Sequence, residues 1–249
     1  MKGREIAWRW LQKIVEERFE GLPRRVFLNS LSQSLHREYP QLRGREQVVR
    51  ERIEELCKEG IQRHSSLAVD SRAQIHLHMA CLVQASYKTL LPWLGNDREK
   101  VIEMIRKPVG ESAAGPLGFA QRFVLFFHLN KFNFVSNSLK LMEADFGKAF
   151  SLSHQVSPGI HKVRVSRCLY HSVFTAEDLP ELTPIFCALD RLWFDQLRPQ
   201  KHGVEFLRPS TLAGGNASCE FIVKEAHLKD PKQGTSENGL STVLDKHRT

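Results

Sequence analysis

At Gly147 the residue pattern of this chain changes its period, and that change constrains the fold more than any other feature. Ahead of it, apolar residues recur at spacings of three and four, the repeat that lays one stripe along an α-helix. Behind it, β-branched residues alternate with polar ones, the repeat of two that turns one face of a strand toward a core. Such a chain reads as α+β: a helical N-terminal half packed on a small antiparallel β-sheet with one inserted helix. We read residues 1–229 as a single domain, 1–147 mainly helical and 148–224 sheet plus helix. With 249 residues the chain is long enough to bury a core of its own. Residues 230–249 are polar and aperiodic, contain Pro231, Gly234 and Gly239, and read as a disordered tail.

Ile6, Trp10 and Ile14, with Leu11, Val15 and Phe19, predict a first helix that Gly21-Leu22-Pro23 ends. A second is expected over Val26–His36 and a third over Arg45–Ile61, with Cys57 on its apolar face as a core residue. Ser71-Arg72-Ala73-Gln74 matches a capping box and starts a long helix that stops at Pro92. Asn96-Asp97-Arg98-Glu99 caps another, expected to end before Pro108-Val109-Gly110. A phenylalanine-rich helix from Phe119 to Asp145 is expected to be central and largely buried. Beyond Gly147 the pattern predicts a strand over Ile160–Tyr170 and a helix over Pro180–Leu197. Two further strands, Val204–Leu212 and Ala217–Val223, are joined by a Gly214-Gly215-Asn216 turn.

Composition excludes several function classes. No apolar run reaches the eighteen or so residues that span a bilayer, and no secretory signal is visible, so a soluble cytoplasmic protein without membrane contact is expected. The formal charge is +8, but the basic residues are spread along helices beside carboxylates such as Glu46, Glu51 and Glu54. No stacking aromatics or reading motif accompany them, so no nucleic-acid partner is expected. The five cysteines include no CxxC pair, which points to reduced thiols and to neither a disulfide framework nor a metal site. No cofactor is implied, a small-molecule substrate is the expected partner, and the oligomeric state stays open, a homodimer included.

Three cysteines fall within residues 167–223: Cys168 at a strand end, Cys187 within a helix, and Cys219 near the start of the last strand. Asp190 follows Cys187 by three residues, on the same helix face. A thiol and a carboxylate that converge would supply a nucleophile and an acid/base group. The plain alternative is that all three are small core residues, as most reduced cysteines are.

The segments Cys168-Leu169-Tyr170, Pro180-Glu181-Leu182-Thr183-Pro184-Ile185-Phe186-Cys187-Ala188-Leu189-Asp190, Arg208 with Thr211-Leu212-Ala213-Gly214-Gly215, and Cys219-Glu220-Phe221 resemble the L-2-amino-thiazoline-4-carboxylic acid hydrolase family over roughly residues 144–223. Glu220 stands where that family usually has aspartate. The resemblance implies hydrolytic opening of a small amidine-like ring at the carbon between sulfur and nitrogen. It makes Cys187, Asp190, Cys168 and Cys219 the catalytic candidates, with Cys187 as nucleophile and Asp190 as acid/base. Arg208 or Thr211 would hold a substrate carboxylate, Arg208 through its planar fork. A shared scaffold does not settle the reaction; a cyclase or isomerase of secondary metabolism, or a non-catalytic small-molecule-binding module, are the other readings.

Tyr170 and His128 complete the substrate-binding candidates, His128 because a polar ring in a phenylalanine-rich helix needs a partner. His76 and His78 sit two apart on a helix, face different ways, and read as surface or partly buried histidines. His171, His154, Glu143 and Asp145 are weaker candidates. Trp93, Trp193 and Phe194 read as core or pocket wall.

Overall fold

The computed structural model describes residues 22–113, 131–194 and 197–226. Numbered over these residues, the helices are α1 (Leu22–Glu38), α2 (Glu46–Arg63), α3 (Ser71–Trp93), α4 (Arg98–Ala113), α5 (Lys131–Phe146), α6 (Leu169–Ala176), α7 (Thr183–Phe194) and the short α8 (Pro199–His202). The strands are β1 (Ser151–Ser157), β2 (Ile160–Arg167), β3 (Val204–Ser210) and β4 (Cys219–Glu225). They form one antiparallel sheet in the order β1-β2-β4-β3. The α+β organisation read from the change of period is the one observed. The expected first helix, the first part of the phenylalanine-rich helix with His128, and the polar tail lie outside the described residues.

The change of period at Gly147 has a local cause. Gly147 adopts φ 70°, a conformation open to glycine and strained for most other residues. A Cβ there would stand 2.6 Å from Asp70 Oδ1. That carboxylate is occupied on both oxygens: Oδ1 accepts the Ala73 N–H and Oδ2 the Lys148 N–H, each at 2.7 Å. Asp70 is therefore the N-cap of α3 and also pins the chain as it leaves α5 for the sheet. The capping box expected at Ser71 is displaced by one residue, because Asp70 supplies the oxygen.

Helix α3 is buried on several sides, with Leu77, Ala80, Cys81, Val83 and Leu90 all fully enclosed. Helix α2 crosses close to it at Gly60, where a Cβ would come within 3.2 Å of Cys81 Sγ. Cys57 and Cys81 are core residues here, their thiols pushed up by burial to about 11 and about 12. The expected stop at Pro108 does not occur: α4 runs through it to Ala113. Val101, Ile105 and Val109, spaced by four and all fully buried, seat that helix against the core and offset the hydrogen bond proline removes.

A second core lies between the sheet and α5. Phe132, Val135 and Leu139 pack on Val163, Phe221 and Val223. Strand β2 alternates as read, with His161, Val163 and Val165 inward and Arg164 outward, where it pairs with Glu220 across the sheet at 3.0 Å. Strand β1 escaped the sequence reading, since its Ser-Leu-Ser-His-Gln-Val-Ser run is an edge strand with no fully buried residue. Two expectations for the link from β2 to β3 are corrected. The strand ends at Arg167, and Leu169-Tyr170 open helix α6. The single inserted helix over Pro180–Leu197 is instead a 3-10 turn, Pro180–Leu182, followed by α7.

Candidate active site

Strand β4 lies between β2 and β3, so the ends of three elements meet at one corner of the sheet. Cys168 follows β2 and, in an extended conformation, precedes α6. Cys219 opens β4 opposite Val165, and its sulfur accepts the Leu212 N–H at 3.2 Å. Cys187 and Asp190 project from one face of α7. All four line a single cleft of about 50 Å³, together with Tyr170, Thr183, Arg208 and the rings of Phe146, Phe150, Phe186 and Phe221. An open groove of about 1030 Å³ lies elsewhere, beside Tyr39, Lys100, Glu103 and Lys107. It is larger, but it brings together neither a thiol nor a histidine, and its charged side chains are of mixed sign, so the small cleft is the chemical candidate.

Arg208 reaches the cleft because the ladder breaks at it. Strands β3 and β4 pair regularly up to Leu207–Ile222 and resume at Ser210–Glu220. Pro209 has no N–H to give to the ladder, and the resulting bulge re-aims its neighbour. The Arg208 guanidinium lies over the Phe221 ring at 4.9 Å. Its Nη1 donates to the Cys187 carbonyl at 2.7 Å, and its Nη2 lies 3.2 Å from Asp190 Oδ2. Its Nε is buried and has no hydrogen-bond partner among the described residues. Burial opposes the Arg208 charge, but Asp190 and Cys187 outweigh it and raise its pKa.

Burial also decides the state of the other groups. Asp190 is pushed up from 3.8 to about 6 by desolvation, although Arg208 pulls it down. The Cys168 thiol rises to about 12, chiefly through burial. Cys187 is raised for the same reason, with Arg208 opposing and Asp190 adding to the rise. The Tyr170 phenol is pushed well above 10, first by burial and then by Cys168 and Asp190. Near neutral pH the cleft therefore holds the Cys168 and Cys187 thiols with their protons, a neutral phenol, and an Asp190 carboxylate that has just lost its proton.

The other candidates fall in different places. Thr211 is a turn residue: its hydroxyl accepts the Gly214 N–H at 3.0 Å and its carbonyl accepts Asn216 Nδ2 at 3.1 Å, and it is not among the residues lining the cleft. The loop it closes, with Gly215 at φ 80°, replaces the tighter hairpin turn expected there. His171 also lies off the cleft; its Nδ1 is buried without a partner among the described residues. His154 bonds to His161 at 3.0 Å and approaches Glu143 at 3.2 Å, on the part of the sheet beneath α5. His78 is exposed, Trp93 lies under the Arg45 guanidinium, and Phe194 stacks on Phe206 in the second core. His76, read as a surface or partly buried histidine, is partly buried, and it bonds to Tyr170. Nothing local in the sequence marks it, since its partner lies 94 positions away. Among the described residues no three His, Cys, Asp or Glu side chains come together to hold a metal ion, and no helix is long and apolar enough to cross a membrane.

A mixed helix-and-sheet domain with a thiol- and carboxylate-lined cleft at the sheet corner defines the class. The family of L-2-amino-thiazoline-4-carboxylic acid hydrolases matches residues 71–223, more than half of the chain, and the chain belongs to that family. The match begins at α3 and closes in β4, so it spans every residue of the cleft. No curated protein matches the chain significantly. Among solved structures, an H-NOX protein from S. oneidensis in the Fe(II)NO ligation state aligns at 13% identity and a TM-score of 0.29, over 80% of this chain and 97% of that one. A likeness that slight carries no argument.

Proposed function

We propose that the cleft opens a small cyclic amidine of the 2-amino-thiazoline-4-carboxylate type by addition of water, with Asp190 as general base. One observation carries the reading: Asp190 is a carboxylate with a pKa near 6, inside a small cleft, tied to Arg208. A base poised just below neutral pH is ionised when it must accept a proton and still basic enough to take one. The oxygen of water adds to the carbon between sulfur and nitrogen, and its proton passes to Asp190. The ring C–S or C–N bond then breaks, and the leaving atom takes that proton with its electron pair. Overall one water is consumed and no redox partner is required.

Arg208 holds Asp190 in place, and its unpartnered Nε–H is the donor left for a substrate carboxylate. The Cys168 and Cys187 thiols keep their protons near neutral pH, so neither is a ready-made thiolate, and water is the nucleophile of this reading. A second reading has Asp190 deprotonate the Cys187 thiol, which then attacks, as the shared helix face allows. A cleft of about 50 Å³ gives no support to a cyclase needing a large apolar cavity. Incubation with L-2-amino-thiazoline-4-carboxylate, followed by mass, tests the proposal. Wild-type protein should yield a product one water heavier. Asp190→Asn should lower kcat by about 10²–10⁴ while keeping its fold. No product from folded wild-type protein would remove the reading.

A further inference from the structure

One wall of the cleft is aromatic, and its centre is a residue outside the cleft. Phe146, Phe150 and Tyr170 line the cavity. All three rings pack around His76 of α3, with centroids 5.8, 5.1 and 5.5 Å away. His76 Nε2 lies 3.1 Å from the Asp145 carbonyl oxygen. A carbonyl only accepts, so Nε2 carries the ring proton. Burial lowers the His76 pKa, which keeps the ring neutral and leaves Nδ1 bare. Nδ1 stands 2.6 Å from the Tyr170 hydroxyl. A bare nitrogen only accepts, so Tyr170 donates its single proton to His76. The phenol oxygen keeps lone pairs alone for any other partner. The Tyr170 ring then lies flat on Phe186, 3.7 Å between centroids, the residue immediately before Cys187.

We propose that His76 is a positioning residue of the site: by taking the Tyr170 proton it makes the Tyr170 oxygen a pure acceptor on the cleft wall, suited to an N–H group of an amidine-like substrate. The inference rests on the hydrolase reading and extends it to how the site selects its substrate. The cleft then offers an N–H-rich ligand one carboxylate, Asp190, and one fixed phenol acceptor. A ring analogue presenting oxygen in place of N–H would meet lone pair against lone pair and be rejected.

Three variants test this. Tyr170→Phe removes one atom and keeps the ring stack. His76→Phe removes the acceptor, and His76→Asn restores one, since its Oδ1 sits where Nδ1 was. Turnover of L-2-amino-thiazoline-4-carboxylate should fall about tenfold in kcat/KM for Tyr170→Phe and for His76→Phe, the worth of one net hydrogen bond. The double variant should fall no further than the worse single, and His76→Asn should recover most of the loss. The near-ultraviolet absorbance of Tyr170, read as the difference from Tyr170→Phe, should shift to shorter wavelength in His76→Phe and return in His76→Asn. Additive losses, an Asn variant no better than Phe, or an unshifted tyrosine signal would overturn the proposal. Should the wild-type protein leave that compound intact, the hydrolase reading falls, while the absorbance series still decides whether His76 holds Tyr170.

Discussion

Removing the Arg208 charge while keeping its bulk, as in Arg208→Met, isolates what sets the basicity of Asp190. The guanidinium lies 3.2 Å from the carboxylate and, among the described residues, is the group that lowers an Asp190 pKa raised by burial. At that distance the attraction between bare unit charges is about 5 kcal/mol at an effective dielectric near 20. Side chains and water relax around the vacated space, so the pKa of Asp190 should move up by roughly one to three pH units. At pH 7 most of the base would then be protonated and idle. Turnover in the variant should collapse near neutrality and recover toward alkaline pH, with the acid limb of the kcat profile displaced upward. Stability should follow the same group. A carboxyl whose folded pKa exceeds its unfolded one binds more protons when folded, so stability falls as pH rises between the two. In the wild type that window runs from 3.8 to about 6 and is worth about 3 kcal/mol. In Arg208→Met the window extends further upward, which urea melts across pH will show. An acid limb that stays in place, in a folded variant, would refute the claim that Arg208 sets the Asp190 pKa.

The remaining predictions concern other parts of the molecule. Cys187→Ala should retain most turnover if water is the nucleophile, whereas a loss on the order of a thousandfold or more would establish the thiol instead. Gly147→Ala should destabilise by about 2 kcal/mol in chemical melts, because φ 70° is strained for alanine and its Cβ meets Asp70; an unchanged midpoint would contradict the pinning role. Glu177 should dominate the acid unfolding. Burial alone would raise its pKa, but Lys88, Arg63 and His64 bring it from 4.5 down to about 2. Stability should therefore fall as pH drops from 4.5 toward 2, by up to about 3 kcal/mol, and Glu177→Gln should flatten that slope.

Much of the fold was legible because it rests on periodicity. The apolar stripes of α1 and α2 and the alternation of β2 each report a buried face directly, and α4 was found by its cap at Asn96-Asp97-Arg98-Glu99. Strand β1 was not legible, since an edge strand of Ser, His and Gln buries too little to leave a pattern. Pro108 misled for the opposite reason: three fully buried side chains hold α4 through a residue that breaks helices by propensity. In the cleft, Cys187 and Asp190 were found together because helical spacing is local information. Their meeting with Cys168 and Cys219 followed from ordered family segments rather than from spacing. Two features left no local trace. The Arg208–Asp190 pair depends on a bulge at Pro209, and the Tyr170–His76 bond joins helices far apart in the chain.

If Asp190 is the base, its own titration must set the acid limb of turnover. Carbon-13 NMR of the aspartate carboxyls, with Asp190→Asn to assign the signal, gives the Asp190 pKa beside the pH profile of kcat for L-2-amino-thiazoline-4-carboxylate. The carboxyl should titrate at about 6, and the acid limb of turnover should coincide with it. A carboxyl titrating near the ordinary 3.8, or an acid limb that survives in Asp190→Asn, would contradict Asp190 as the base.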